Sequence, residues 1–331
     1  MQLPIRLLVL GPTHWLNTQS VYHALAETMT DDSPDTLVLA QPLQPYLCLG
    51  YHQELESVLD RQACARMSLP IVRRRVGGGA TYLDVNQLFY QCIFHHQRVP
   101  ARVDKIYARL LAAPVATLRG LGLNGELLAE NEIEVNGKRI AGIGGGRMGA
   151  AAVVVGNLLF DFNYRALTQA WRVPSETFRH FAADALRERV TTLWAELPRP
   201  VSPDEVQHRL IAEFARALNR PLEPGKLTEA ETQKMEAVAK RLGSYKWLHL
   251  HANGARPMTS LKISRGVFIR YAEGLIDGCQ VRATFRVRDG IIEQARLESE
   301  PERNWAASLH RLRGAKVELW HQIVEGEGAE L

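Results

Sequence analysis

A chain of 331 residues, 46% hydrophobic and 23% charged, is long enough for two domains and a sizeable core, and excludes a disordered or fibrous protein. Its net charge of +4 is too mild to point to nucleic acid, where a concentrated basic face is expected. No apolar run approaches membrane-spanning length, and Leu7-Leu8-Val9-Leu10 is too short for a signal segment.

Residues 5–10 read as a strand, and Asn17 or Thr18 can cap a helix carrying Val21, Leu25 and Met29 at four-residue spacing. Strands are expected at 36–40 and 46–49, with Pro42 and Pro45 between them, then a helix over 54–67 and a strand over 69–73. That strand enters Arg73-Arg74-Arg75-Val76-Gly77-Gly78-Gly79-Ala80-Thr81-Tyr82-Leu83-Asp84, and a strand over 87–94 follows. Glycines let a backbone approach a ligand and take positive φ. Their exposed N–H groups can face phosphate oxygens, and a neighbouring arginine adds charge-assisted hydrogen bonds. The same composition also suits a basic turn between two strands, and the spacing matches neither a Walker A nor a GxGxxG loop.

A helix is expected over 103–121, ending near Gly120 and Gly122. Residues 131–147 then read as strand, Asn136-Gly137 turn, strand and a second glycine run, Gly142-Ile143-Gly144-Gly145-Gly146. Lys138 and Arg139 start the return strand and face opposite sides of it. Two basic glycine segments suggest one anionic ligand held from two sides. Residues 150–162 are an apolar strand pair or one long strand, and 164–197 are helical with an interruption at Pro174.

Ser202-Pro203-Asp204-Glu205 carries a cap, a first-turn proline and acidic residues, so a helix should run to about Asn219. The stretch 221–225, Pro-Leu-Glu-Pro-Gly, reads as a linker. Beyond it lie a helix over 228–241, strands at 261–263, 267–271, 279–287 and 291–298, an Asp289-Gly290 hairpin, and a helix over 302–313 that buries Trp305, Leu309 and Leu312. The fold class is α+β, with domains at 1–222 and 223–331.

Cys48, Cys64, Cys92 and Cys279 form no CxxC pair and no zinc spacing, and read as free thiols of a reducing, cytoplasmic compartment. His95-His96 reads as a surface pair at a strand end, and Trp247 as a packing residue. No Gly-x-Ser-x-Gly elbow is present.

The two glycine blocks, in this order, resemble those of the lipoate–protein ligase family, within the group that includes biotin ligases and octanoyltransferases. Residues 73–84 resemble its Arg-Arg-x-x-Gly-Gly-Gly-Ala block, and 131–142 its Asn-Asp block ending Lys-Ile/Val-x-Gly. Residues 155–161 and Arg189-Val190-Thr191-Thr192-Leu193 resemble two further family segments. Departures are Arg139 at the family's lysine, Glu132 at its Asp, Leu83 at its His, Asn86-Gln87 at its Gly-Asn and Val154-Val155 at its His-His.

The resemblance implies a biotin/lipoate-ligase-like catalytic domain followed by a small α+β accessory domain. It implies ATP-dependent activation of lipoate or octanoate to the acyl-AMP, lipoyl-AMP being the bound intermediate. Transfer to a lysine of an acceptor lipoyl-domain protein would follow, with ATP, lipoate and Mg²⁺ as the small molecules and no nucleic acid or membrane as partner. Arg73 and Arg74 would neutralise phosphate, and Gly77, Gly78, Gly79 and Ala80 would approach it closely. Tyr82 and Ile143 would flank the adenine or acyl group, with Asp84, Gln87, Gly142 and Gly144 completing the site. Asn131 and Glu132 would lie near the phosphate, Glu132 also holding Mg²⁺, and Arg139, or else Lys138, would hold the acyl carbonyl. The alternatives are an octanoyl or lipoyl transferase that needs no ATP, which in this group uses a cysteine, and a catalytically weakened lipoyl-AMP-binding relative. Cys92 lies within an apolar strand and reads as a core residue.

Overall fold

The computed structural model describes residues 3–128, 131–251, 254 and 256–326. In chain order the strands are β1 (Ile5–Thr13), β2 (Thr36–Pro42), β3 (Tyr46–Leu49), β4 (Ile71–Arg73), β5 (Thr81–Leu83), β6 (Gln87–His95), β7 (Gly125–Leu128), β8 (Glu132–Val135), β9 (Lys138–Arg139), β10 (Ala141–Met148), β11 (Ala151–Leu159), β12 (Leu222–Pro224), β13 (Ser260–Ser264), β14 (Val267–Ile276), β15 (Cys279–Arg288) and β16 (Ile291–Glu300). The helices are α1 (Asn17–Glu27), α2 (Leu55–Val58), α3 (Arg61–Arg66), α4 (Val103–Gly120), α5 (Tyr164–Ala170), α6 (Glu176–Arg189), α7 (Leu193–Glu196), α8 (Pro203–Leu218), α9 (Glu229–Leu242), α10 (Tyr245–Leu248), α11 (Ala306–Leu312) and α12 (Trp320–Glu325). The class is α+β, as the sequence implies.

Two compact units are present, and the chain passes between them more than once. The first comprises 1–55, 64–163 and 190–253, and the second 56–63, 164–189 and 254–331. The centre of the first unit is a mixed six-stranded sheet, ordered β10-β11-β6-β2-β1-β12. Period-two alternation divides its side chains between two layers. On β6, Leu88, Tyr90, Cys92 and Phe94 face a core built with α4 and α8, whereas Ile93 faces a core built with α1.

α8 shows why the chain folds this way. Val206, Leu210, Phe214 and Leu218 recur every four residues and are all buried, each contributing about 1.5–3 kcal/mol on full burial. Ser202 accepts the Glu205 N–H at 3.1 Å to start the helix, and Asn219 stops it in the left-handed region at φ 50°.

The stretch 221–225 is not a linker. Its residues Leu222–Pro224 form β12, which pairs in parallel with β1 through Ile5–Leu222 and Leu7–Pro224. An edge position explains how a strand tolerates Pro224 within it and Pro221 just before it. Residues 223–251 therefore pack in the first unit rather than opening the second, and Leu227 and Met235 join the core beneath α1. The helix expected over 54–67 is two pieces, because the Asp60 carboxylate accepts the Ala63 N–H at 2.9 Å and caps a new helix there.

In the second unit β13-β14-β15-β16 form an antiparallel meander. Asp289-Gly290 turns at φ 48° and 84°, as expected, and Asp277-Gly278 does the same at 48° and 73°. That second turn extends the strand expected at 267–271 as far as Ile276.

Candidate active site

The first glycine segment leaves β4 at Arg73 and reaches β5 at Thr81. Arg73 is fully buried and does not face the loop. Its Nε donates to the Trp247 carbonyl at 2.9 Å, and Nη2 donates to Leu248 at 2.5 Å. Its Nη1 donates to the carbonyls of Gly50, Tyr51 and Gln53 at 3.1, 2.8 and 2.5 Å. The expected phosphate contact is thus replaced by a clamp on five carbonyls, and burial lowers the pKa of Arg73 from the ordinary arginine value.

Arg74 does belong to the loop, which it holds from inside. Nη2 donates to Gly77 and Gly79 carbonyls at 2.8 and 2.9 Å, Nε to Gly77 at 3.2 Å, and Nη1 to Cys48 at 3.0 Å. Neither guanidinium makes an ion pair with a carboxylate among the described residues. Two adjacent, buried, uncompensated cations therefore lie at the root of the loop. Carbonyl dipoles offset part of that cost, and an anion would offset the rest.

Gly78 turns the loop at φ 95°, and a Cβ there would lie 2.9 Å from Arg74 Nη2. Gly77 and Gly79 face open space, and Ala80 follows half-buried. The tightest position is one the sequence reading missed. A Cβ on Gly50 would lie 1.9 Å from the Gly78 carbonyl oxygen, so the loop needs a glycine beneath it. His23 was missed too. Its Nδ1 must donate to the Gln19 carbonyl at 2.6 Å, so neutral Nε2 accepts the Arg75 N–H at 3.0 Å. Burial pulls its pKa down to about 4.

The second glycine segment starts at a β8–β9 hairpin. Asn136 and Gly137 both have positive φ, 52° and 73°, as a two-residue type I′ turn requires. Pairing sets Glu134 across from Arg139 and Val135 across from Lys138. Ile133, Val135 and Ile140 enter the core, so Glu132, Glu134 and Arg139 share the other side. Burial lowers the pKa of Arg139, and Glu132 and Glu134 oppose that shift. Its carbonyl accepts the Thr191 N–H at 2.9 Å, and Glu196 binds both Asn136 Nδ2 at 2.7 Å and Thr191 Oγ1 at 2.6 Å. The 190–193 segment thus braces the hairpin. Asn131 is exposed just before β8, and Glu132 is buried within it.

β10 brings the two segments together. A Cβ on Gly144 would lie 3.3 Å from Val76 and 3.6 Å from the Gly77 carbonyl oxygen. Gly142, Gly144 and Gly146 share this side with Met148, which packs beneath α1. Ile143 takes the opposite side, against the α4–α8 core, and so does not face the first loop as a flanking residue would. Behind Gly142 runs a polar chain in which Asn157 Oδ1 accepts its N–H at 2.7 Å. Asn157 Nδ2 donates to Gln87 at 2.5 Å, and Gln87 donates to the Tyr82 carbonyl at 3.1 Å. Gln87 therefore links strands rather than standing open. Tyr82 is buried edge-on to Phe162, 6.3 Å between centroids, and burial followed by the Asp84 charge pushes its hydroxyl up to about 12. Asp84 is buried, accepts the Asn86 N–H at 3.0 Å and has its pKa raised by that burial.

Among the described residues no three His, Cys, Asp or Glu side chains gather as a metal site. Glu132 and Glu134 lie on one side of the hairpin beside Arg139, and Mg²⁺ commonly takes one or two carboxylates with substrate phosphates. His95 is not a surface residue: it is buried, with Nε2 3.0 Å from Asp31. All four cysteines are free and buried, and no described helix is long and apolar enough to cross a membrane.

Known proteins are similar to this chain in sequence and in fold. Octanoyltransferase LipM of Moorella thermoacetica is 25% identical over 245 residues, spanning 68% of this chain and 89% of that protein. Lipoate-protein ligase A subunit 1 of Thermoplasma acidophilum is 28% identical over 209 residues, spanning 60% of this chain and 77% of that protein. The fold matches a chain from a structural analysis of a bipartite lipoate protein ligase and its E2 lipoyl domain from T. acidophilum, with TM-score 0.70, 23% identity, and coverage of 77% of this chain and 100% of that one. A lipoate-protein ligase A bound with ATP matches with TM-score 0.64, 23% identity, and coverage of 75% and 99%. Residues 16–215 match the profile of the lipoyl protein ligase A/B catalytic domain, and the chain belongs to that family.

Proposed function

We propose that the protein is an ATP-dependent lipoate–protein ligase. A carboxylate oxygen of lipoate or octanoate attacks the α-phosphorus of ATP and pyrophosphate leaves. A lysine amine of an acceptor lipoyl-domain protein then attacks the acyl carbon of the adenylate, and AMP leaves. The observation that carries the reading is the pair of buried guanidinium groups without carboxylate partners, at the root of a glycine loop that meets a second glycine strand.

Such a reaction asks the protein for position, charge neutralisation and exclusion of water. Arg74 sets the loop carbonyls, and its charge and the N–H groups of Gly77, Gly78 and Gly79 receive the phosphates. Gly144 lets the facing strand come close to the first loop, its Cβ position lying 3.6 Å from the Gly77 carbonyl oxygen. Arg139 holds the acyl carbonyl and developing charge. Asn131 lies beside Glu132, and Mg²⁺ held by Glu132 and the phosphates would neutralise further charge. The first unit is the catalytic one and the second accessory. The buried free thiols suit a cytoplasmic location.

The second reading is octanoyl transfer without ATP, favoured by the relatives named octanoyltransferase. A covalent route through sulfur needs an accessible thiolate, whereas all four thiols are buried and burial pushes Cys48 and Cys92 up. The third is a relative that binds lipoyl-AMP without turnover. Lipoate-dependent exchange of labelled pyrophosphate into ATP separates them. Exchange is expected, and Arg74→Ala should weaken nucleotide binding by about 1.5–3 kcal/mol. Carrier-dependent transfer without ATP establishes the second reading, and tight binding without exchange the third.

A further inference from the structure

We propose that Arg73 is a positioning residue and that α10 is a latch whose docking fixes the glycine loop. This rests on the ligase reading for its ligand but not for its geometry. α10 is a single turn of four residues, and its half-buried Trp247 packs against the cluster that holds Val72, Val238 and Leu242. So short an element has little cooperativity of its own. A reciprocal contact joins it to β4: Arg73 donates to the Trp247 and Leu248 carbonyls, and Trp247 Nε1 donates back to the Arg73 carbonyl at 2.9 Å. Ser244 caps the turn by accepting the Trp247 N–H at 3.3 Å, and the Arg241 guanidinium sits 5.3 Å from the indole centre.

The same guanidinium reaches the loop through the 50–53 turn. Nη1 holds the carbonyls of Gly50, Tyr51 and Gln53. Gln53 Oε1 accepts the Gly50 N–H at 3.0 Å, and Tyr51 N–H donates to the Val76 carbonyl at 3.2 Å. Gly50 in turn supports the Gly78 carbonyl so closely that no Cβ fits between them. One buried cation therefore joins α10, the supporting turn and the loop. If α10 undocks, five carbonyls lose or rearrange their donor, and the loop samples more conformations. A ligand that needs the ordered loop then binds with an affinity reduced by the fraction ordered, while the bound geometry is unchanged. By linkage, ligand at the loop protects α10.

Two variants test this away from the ligand. Trp247→Phe removes the indole donor, and Ser244→Ala removes the cap of α10, a hydroxyl that bonds the Trp247 N–H and the Arg241 carbonyl rather than the loop. Each should raise KM for ATP in pyrophosphate exchange by roughly five- to tenfold, the effect of one buried hydrogen bond, with kcat within about twofold. Hydrogen exchange of residues 76–81 should quicken in both variants without ligand, and ATP with lipoate should slow exchange of residues 245–250 in the unaltered protein. A fall in kcat at unchanged KM, or loop exchange unaltered in both variants, overturns the latch. If ATP protects nothing in the unaltered protein, the ligase reading fails, and the exchange of the unliganded variants still decides the latch.

Discussion

The two basic glycine segments keep their arginines in opposite electrostatic states. At the first loop, Arg73 and Arg74 are buried among carbonyl groups with no carboxylate partner among the described residues. At the hairpin, Arg139 shares its side of the strands with Glu132 and Glu134, whose charges oppose the effect of burial on it. The first environment carries surplus positive charge, whereas the second places two carboxylates around one cation. The loop is thus prepared to receive an anion by itself. The hairpin gains by receiving an anion together with a cation, the composition of a metal-bound polyphosphate.

The largest expected effect breaks the first environment while leaving the second alone. Gly50→Ala forces a methyl group to within 1.9 Å of the Gly78 carbonyl oxygen, so the loop must move off Arg74. Nucleotide binding measured by calorimetry should be lost, while Gly77→Ala and Gly79→Ala, which face open space, should leave fold stability within about 1 kcal/mol. Normal binding by Gly50→Ala would place the ligand elsewhere.

A smaller effect sharpens the comparison through pH. The pKa of His23 falls from 6.5 to about 4 on folding, so the unfolded chain binds the additional proton between those values. Stability from this group is complete above pH 6.5, declines as pH falls towards 4, and levels off below, a total of about 3 kcal/mol. Below pH 4 protonated Nε2 no longer accepts the Arg75 N–H, so the loop root should loosen before the hairpin does. Denaturation midpoints across pH 3–7 should show the slope in the unaltered protein and lose it in His23→Gln. An identical slope in both would assign the acid sensitivity to other groups.

Local chemistry made the hairpin legible and left the clamp hidden. Asn136-Gly137 fixes its turn by itself, because both residues must take positive φ. The meeting of the two glycine runs was also anticipated, since both lack the Cβ atoms that would keep backbones apart. Arg73 was not legible, because its partners lie about 20 and 174 residues away and no local pattern says which side a strand-end arginine faces. Ile143 stood among glycines, where period-two alternation has no side chains to reveal it. β12 was hidden by its prolines, which read as a linker until a neighbouring strand makes them an edge. The interleaved units were hidden for the same reason, since residues 164–189 join strands from beyond residue 254.

The smallest effect tests the hairpin itself. Lys138 and Arg139 are adjacent, and the pairing sends them to opposite sides, Lys138 across from Val135 and Arg139 across from Glu134. Arg139, on the side of the carboxylates, is the residue expected to meet phosphate and acyl carbonyl. A guanidinium is a planar fork and an ammonium a compact point charge, so the two differ in reach at a reacting carbonyl. Arg139→Lys should keep the positive charge that stabilises the adenylate and improve acyl transfer to a fixed acceptor, by no more than about tenfold, or 1.4 kcal/mol. Lys138→Ala should change little, because that side chain leaves the hairpin away from Glu132 and Glu134. Single-turnover transfer from preformed lipoyl-AMP reads the two variants directly. Loss of transfer in Lys138→Ala with Arg139→Lys neutral would make Lys138 the working cation, and would require the hairpin to shift by one residue when ligand binds.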